Sequence, residues 1–128
     1  MPIGYKVSQD GKRIDVIPKG VLDTDQTIDY FKKLSTDPSI KPNAIEIVDF
    51  SEVTDFKISY LESQNITQSY QQPKSAQIIY ATIFVCKSTV AFGIGRMLKT
   101  LHEIANQEHK VFIVKTDAEL NELLGKLQ

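Results

Sequence analysis

Apolar and polar residues alternate along the first part of the chain. The apolar residues at every second position are Ile3, Tyr5 and Val7, and then Ile14 and Val16. A period of two predicts strands that have one face in solvent. The Asp10-Gly11 dipeptide between the two segments supplies the positive φ that a tight hairpin turn requires. We therefore predict an antiparallel β-hairpin, which ends at Gly20.

Three later segments are almost continuously apolar. These segments are Ala44–Phe50, Ala76–Val85 and Val111–Val114. A strand that is apolar on both faces is typical of the interior of a parallel sheet that helices cover on each side. The contrast with the alternating segments predicts that the hairpin lies toward one side of the sheet and that the three apolar strands form its buried part.

Four segments show helical spacing and plausible capping residues. The predicted starts are Asp23 or Thr24, Ser59, Ser88 or Thr89, and Thr116. Ser59 with Glu62 and Thr116 with Glu119 have the spacing of a capping box. The first helix should stop at Asp37-Pro38 and the second near Tyr70, while Ser51–Ile58 is interpreted as a connection.

The predicted order of elements is ββαβαβαβα. Strands that alternate with helices indicate crossover connections and a mainly parallel sheet. We predict an α/β fold in a single domain over residues 1–128, with a mixed, mostly parallel five-stranded sheet that begins with the N-terminal hairpin and continues in βα units.

Charge and composition exclude several classes of protein. The chain has 128 residues, 15 basic and 16 acidic side chains and a net charge of −1, so the basic surface of a nucleic-acid-binding protein is missing. The single cysteine excludes an internal disulfide. No signal peptide is visible, and the apolar run Ile78–Cys86 is too short to span a bilayer. We expect a cytoplasmic protein without membrane insertion.

Few residues are placed for metal or enzyme chemistry. His102 and His109 lie seven positions apart, whereas a metal-binding pair on a helix requires i and i+4. We therefore predict no metal and no cofactor. Cys86 with His102 is the one pair that folding could assemble into a catalytic site, but a lone cysteine at the end of a strand is more often a small core residue.

The Gly93-Ile94-Gly95 sequence lies inside the predicted long helix. A dinucleotide-binding motif requires its glycines in the turn directly after a strand, which excludes that interpretation here. Small residues at these positions should instead let the helix approach the sheet closely. The adjacent Arg96 is either a solvated arginine with a packed stem or a contact for an anion or a partner.

Three carboxylates lie close together in the sequence. Glu46 falls within a predicted strand, while Asp49 and Asp55 flank the predicted connection. Paired carboxylates can act as general acid and base. Because no histidine or phosphate-binding loop accompanies them, capping and loop roles are favoured.

The sequence Val48-Asp49-Phe50-Ser51-Glu52-Val53-Thr54 resembles the strand-to-loop segment of STAS domains, the family that includes antagonists of anti-sigma factors. Its pattern there runs Asp-Leu-Ser-Gly-Val-Thr and continues to an Asp-Ser pair whose serine is phosphorylated. In this chain the pair falls on Lys57-Ile58. Ser59 comes one position late and is better explained as a helix cap.

A second segment, Ala91-Phe92-Gly93-Ile94-Gly95-Arg96-Met97, and the order of elements are similar to small bacterial proteins described as STAS-like or SpoIIAA-like. The resemblance extends over nearly the whole chain. It implies a mixed, mostly parallel sheet. A related fold occurs in lipid-transfer domains, so the resemblance also leaves a small apolar ligand open.

Three hypotheses about function follow. The first is a non-enzymatic regulatory or protein-interaction module, whose contact or phosphate site would comprise Ser51, Thr54, Asp55, Lys57, Ser59 and Tyr60. The second is a binder of a small apolar or amphipathic ligand, which requires a cavity between the sheet and a helix. The third, an enzyme, depends on Cys86 and His102. A homodimer could form through an open sheet edge or the face of the hairpin.

Overall fold

The described residues form seven strands in two sheets. The structure is a computed structural model, and it describes residues 3–58, 79–105 and 110–127. The strands are β1 (Tyr5–Val7), β2 (Arg13–Val16), β3 (Gly20–Asp23), β4 (Ala44–Asp49), β5 (Val53–Lys57), β6 (Ile79–Val85) and β7 (Lys110–Val114). The central sheet has the order β1-β2-β4-β6-β7, in which only the β1–β2 pair is antiparallel. The predicted mixed, mostly parallel five-stranded sheet is confirmed, and so is the hairpin at its side.

The hairpin turn depends on Gly11. This residue has a φ of +74°, and a Cβ built on it would lie 2.4 Å from the carbonyl oxygen of Ser39. The Lys41 N–H donates to the Gly11 carbonyl oxygen at 2.9 Å, so the turn is tied to the loop before β4. A side chain at this position would be strained by the backbone conformation and would also collide with the neighbouring loop.

β3 and β5 form a separate two-stranded parallel sheet, which the sequence did not predict. Gly20 begins β3 instead of ending the hairpin, and its N–H donates to the Glu52 carbonyl oxygen at 3.0 Å. The interpretation of Ser51–Ile58 as a connection was wrong for Val53–Lys57. The reason is that β5 is short and mostly solvent-facing, so it lacks the apolar pattern of a core strand, and its partner lies about thirty residues earlier.

Three helices occur among the described residues: α1 (Thr24–Thr36), α2 (Thr89–Ala105) and α3 (Asp117–Leu127). Each begins where the sequence predicted. Asp23 accepts from the Gln26 N–H at 2.8 Å, and Ser88 accepts from the Ala91 N–H at 3.1 Å. The Thr116 hydroxyl accepts from the Glu119 N–H at 3.1 Å. The helix predicted from Ser59 to Tyr70 and the first residues of the strand predicted from Ala76 lie outside the described residues.

Helices cover both faces of the central sheet. Tyr30, Phe31 and Leu34 of α1 and Ala91 and Leu98 of α2 pack into one core cluster, and Leu124 of α3 packs into another on the opposite face. Burial of apolar side chains on both faces provides the main stabilisation of such a layered fold. Within the described part of the chain, no helix is long and apolar enough to cross a membrane.

The prediction that Val111–Val114 lies in the buried part of the sheet requires correction. β7 is the outermost strand of the central sheet, opposite the hairpin edge. Its apolar side chains are still partly or fully buried, because α2 covers one of its faces and α3 the other: Val111 and Ile113 pack with the α2 cluster, and Phe112 and Val114 with the α3 cluster. Apolar residues on both faces of a strand therefore indicate that helices cover both faces. A strand at the edge of the sheet can be covered in the same way as a central strand.

Candidate functional site

A buried carboxyl group lies at the centre of the sheet. Glu46 on β4 is only 2% exposed and faces α1. Its neighbour in the register of β6 is Thr82, whose hydroxyl donates to Glu46 Oε1 at 2.7 Å. The Tyr30 hydroxyl of α1 donates to Glu46 Oε2. Two hydroxyl groups therefore satisfy a side chain that would otherwise be one of the most costly to bury.

Burial raises the pKa of Glu46, and the two hydrogen bonds only partly oppose this effect. The carboxyl borders a cavity of about 40 Å³, and none of the described residues on the cavity wall is positively charged. The remaining wall residues are mostly apolar: Ile3, Val16, Pro18, Leu22, Thr27, Tyr30, Phe31, Val48, Phe50, Ile58, Phe84 and Leu98. This volume holds a few water molecules at about 10–15 Å³ each.

A larger concave surface follows the outer edge of β7. We call it the edge groove; its volume is about 730 Å³. It is bordered by α2 on one side and α3 on the other, and β7 forms its floor. The lining residues are Phe92, Arg96, Lys99 and Thr100 of α2, Val111–Val114 of β7, and Glu119, Glu122, Leu123 and Lys126 of α3.

The floor of the edge groove exposes backbone groups of β7. The Cys86 N–H donates to the Val114 carbonyl oxygen at 2.8 Å, so Val114 directs its backbone groups toward β6. Successive residues of a strand direct their N–H and C=O groups to alternate sides. Val111 and Ile113 therefore direct theirs outward. Among the described residues, no strand pairs with this edge.

Charges on the two walls of the groove differ in how they are paired. On the α2 wall, the Arg96 guanidinium lies 5.9 Å from the centre of the Phe92 ring, and Lys115 Nζ lies 4.4 Å from the same ring. On the α3 wall, Glu119 accepts from the Lys115 N–H at 2.8 Å, and Glu122 pairs with Lys126 at 3.5 Å. No described residue forms an ion pair with Arg96, so the α2 wall presents a positive charge.

The direction of the β7 backbone can be tested with proline. Ile113→Pro removes an N–H that points into the groove, whereas Phe112→Pro removes one that bonds to β6. Both variants lose a half-buried apolar side chain. We expect Phe112→Pro to be less stable by about 1–3 kcal/mol, the cost of a buried carbonyl left without its donor. Urea unfolding followed by circular dichroism measures the difference. Equal losses of stability would contradict the outward assignment of Ile113.

The predicted contact site on the loop after β4 is only partly described. Ser51 lies in a turn in which Asp49 Oδ1 accepts from its backbone N–H at 2.9 Å. Its hydroxyl donates to the same oxygen at 2.5 Å. Asp49 therefore has the predicted turn-capping role. Ser59 and Tyr60 lie outside the described residues, so their part in this site stays a prediction.

The other members of that site lie on β5. Thr54, Asp55 and Lys57 are exposed there. Strand alternation places Asp55 and Lys57 on one face, whereas Thr54 lies at an irregularity in the register, between the residues that pair with Gly20 and Val21. The loop role predicted for Asp55 is wrong, because its backbone pairs with Val21 of β3. Arg96 does not belong to this strand and lies on α2 in the edge groove.

The two glycines of α2 have different surroundings in the structure. A Cβ on Gly95 would lie 2.8 Å from Cys86 Sγ, so the predicted close approach of helix to sheet is confirmed at this position. Gly93 is exposed and has nothing within 4 Å of a Cβ, so the prediction is wrong there. The side chain of His102, and all of His109, lie outside the described part of the molecule. No three metal-ligating side chains cluster in the part that is described.

Sequence reasoning did not identify Glu46 or the edge groove as candidate sites. A charged residue inside the apolar segment Ala44–Phe50 is a signal for a buried polar group, but the sequence does not show which hydroxyls reach it. No pattern in the sequence predicted the groove, because its residues come from α2, β7 and α3 and are brought together only by packing.

Comparisons with known proteins connect the chain to one fold. No protein-family model matches it, and no curated protein does. It is similar in structure to an uncharacterized protein of the DUF3478 family from Shewanella loihica PV-4, whose crystal structure is described as having a SpoIIAA-like fold. The TM-score is 0.55 at 11% sequence identity, and the match covers 95% of this chain and 91% of that one. With its hairpin, its mostly parallel sheet and this match over nearly all of its length, the chain is an α/β protein with the SpoIIAA-like fold.

Proposed function

We propose that the chain is a non-enzymatic protein-interaction module that binds its partner in the edge groove. The observation that carries the proposal is the open side of β7, where backbone donors and acceptors lie on the floor of a groove between two helices. An unpaired strand edge is a ready template for another chain, and proteins usually shield it. Here α2 and α3 flank the edge, and no strand of the described residues pairs with it.

The size of the internal cavity argues against a small ligand at that site. Pockets that bind small molecules have volumes of roughly 300–1,000 Å³, a range that the edge groove reaches at about 730 Å³. The internal cavity is about 40 Å³, far below that range. A lipid-sized molecule would have to displace wall side chains in order to enter it.

A small amphipathic ligand is the second candidate, favoured by the position of Glu46 on an otherwise mostly apolar wall. Its polar group would bond to the carboxyl and its apolar part would contact Phe31 or Phe84. Native mass spectrometry of the purified protein tests this function. A mass above that of the bare chain, lost in Glu46→Leu, would support it; the bare mass alone, with no thermal shift across a panel of fatty acids, would count against it.

The non-enzymatic part of the proposal is supported by Cys86. Burial, with a contribution from the charge of Asp49, raises the pKa of this thiol to about 11. The side chain is 1% exposed and packs against Gly95. A thiol in this environment remains protonated near neutral pH and is a poor nucleophile, since the thiolate is the reactive form.

Variants on two surfaces test which one binds a partner. The experiment is a pull-down from a bacterial lysate with the immobilised chain. The wild type is compared with Arg96→Glu and Ile113→Pro in the edge groove and with Thr54→Ala and Lys57→Ala on β5. We expect one captured protein that both groove variants lose and both β5 variants retain. Capture that depends on Thr54 or Lys57 would move the function to the β5 surface, and capture unchanged in all variants would contradict the proposal.

A further inference from the structure

We infer that the occupant of the edge groove is an extended segment of another protein, which adds a strand to β7 and directs acidic side chains toward α2 and apolar ones toward α3. The inference rests on the proposed function and makes it more specific. It follows from three features of the groove: the outward backbone groups of β7, the unequal charges of the two walls, and the poor fit of a second copy of the chain at this edge.

The backbone of β7 sets the conformation of the occupant. Val111 and Ile113 each offer one N–H and one C=O to the groove, so an added strand can form up to about four main-chain hydrogen bonds. In strand addition these bonds provide affinity independent of sequence, and alternate side chains provide specificity. A helix in the groove would leave the four backbone groups of β7 without partners.

The walls determine the pattern of side chains. Alternate residues of an added strand point to opposite faces of the sheet, so one set faces α2 and the other faces α3. On the α2 side they meet the exposed Arg96, whose guanidinium is positioned by Phe92. A planar guanidinium that forms no ion pair with any described residue is suited to bind a carboxylate.

The α3 wall favours a different type of side chain on the added strand. Its acidic side chains already have partners, since Glu119 accepts from the Lys115 N–H and Glu122 pairs with Lys126. Leu123 lies on the same wall and is partly buried against the core cluster beneath α3. An apolar side chain on this face extends that cluster, whereas an isolated charge would gain little. The favoured segment therefore alternates acidic and apolar residues.

A second copy of this chain fits the edge poorly. Antiparallel pairing of two β7 strands about a two-fold axis sets α2 against α2 and α3 against α3. Arg96 would then approach the other Arg96, and Glu122 the other Glu122, which is unfavourable. A symmetric parallel pair would place Ile113 opposite Ile113, although parallel pairing requires a residue that points in to face one that points away.

Fluorescence anisotropy with two labelled octapeptides tests the inference. One peptide alternates glutamate and valine, and the other alternates lysine and valine. We expect the glutamate peptide to bind the wild-type chain about five- to tenfold more tightly than the lysine peptide, the size of effect that a few exposed ion pairs give. Arg96→Glu should reverse the preference. Lys6→Glu, which makes the same charge change on the opposite edge strand, should leave it unchanged.

Further measurements separate the inference from the proposed function. Ile113→Pro should weaken both peptides equally, because it removes a main-chain donor and no charge. Equal affinity of the two peptides, or a preference unaffected by Arg96→Glu, would overturn the inference. Sedimentation that shows a dimer of wild type but a monomer of Ile113→Pro would also overturn it, in favour of a second copy. If groove variants lose a captured protein in the pull-down while the peptides fail, the proposed function stands and only the nature of the occupant is wrong.

Discussion

Above about pH 5, the Glu46→Gln variant is expected to be more stable than the wild-type chain, and the difference should grow with pH. Glu46 is buried without a positive charge on the described wall of its cavity, and burial raises its pKa above the ordinary value of 4.5. The folded protein therefore keeps the carboxyl protonated at pH values where the unfolded chain has already ionised it. Glutamine has the same shape and stays neutral, so its folded state does not incur this cost.

The sign of the effect follows from proton binding. Below the ordinary pKa, both states of the wild type are protonated, and the two proteins should have similar free energies of unfolding. As pH rises, the unfolded wild type loses a proton that the folded state retains, so its stability falls until the pH passes the raised pKa. The difference between the two proteins should therefore increase with pH and level off once the pH exceeds the raised pKa.

Urea unfolding of both proteins across the pH range measures this difference. Glu52→Gln, at an exposed position beside Ser51, is the matched control and should follow the wild type within about 0.5 kcal/mol at every pH. A Glu46→Gln difference that does not change with pH would show that folding does not raise the pKa of Glu46. A wild type that gains stability over the variant at high pH would mean that its carboxylate is stabilised as an ion.

The second large effect is expected at Gly95, where Gly95→Ala should destabilise the protein by about 1–2 kcal/mol. A Cβ at this position would lie 2.8 Å from Cys86 Sγ, in a core where Cys86 is 1% exposed and has little room to move. Forcing an extra methyl group into a packed core costs about 1–3 kcal/mol. The higher helix propensity of alanine offsets up to about 1 kcal/mol, so a packing cost of about 2–3 kcal/mol leaves the expected net loss of about 1–2 kcal/mol.

Gly93→Ala is the matched control, because it is the same substitution two residues earlier in the same helix. Nothing lies within 4 Å of its Cβ, so the variant should be more stable than wild type by up to about 1 kcal/mol. In a Cys86→Ala background, Gly95→Ala should cost less, since the new methyl group occupies the space that the sulfur leaves. Equal effects of the two alanines would show that α2 does not touch the sheet at Gly95.

Much of the architecture could be predicted because its signals are local. The hairpin depends on a glycine between two alternating segments, and the helix starts at Asp23, Ser88 and Thr116 depend on side-chain oxygens that accept from N–H groups nearby in sequence. The sheet β3–β5 had no such signal, because neither strand carries an apolar pattern and their pairing joins distant segments. The edge position of β7 was missed because two covering helices make an outer strand as apolar as an inner one.

The candidate sites, too, could be predicted from the sequence only in part. Arg96 stood out in the sequence as a charge without an evident place, and the structure puts it on the wall of the edge groove. Glu46 was visible as a charge inside an apolar segment, but Tyr30 comes from α1 and Thr82 from a strand 36 residues later. Hydrogen bonds between such distant residues depend on sheet register, which the sequence does not encode locally.

The amino-acid sequence by itself determined the class of the fold, the hairpin and the positions where helices begin, because alternation, helical periodicity and capping act over a few neighbouring residues. Only the tertiary structure decided which strand lies at an edge, which of two glycines touches the sheet, and which hydroxyls satisfy Glu46. These features depend on distances between segments far apart in the chain, and packing sets those distances. For the same reason, the open side of β7 and its flanking charges became visible as one surface only in the folded molecule.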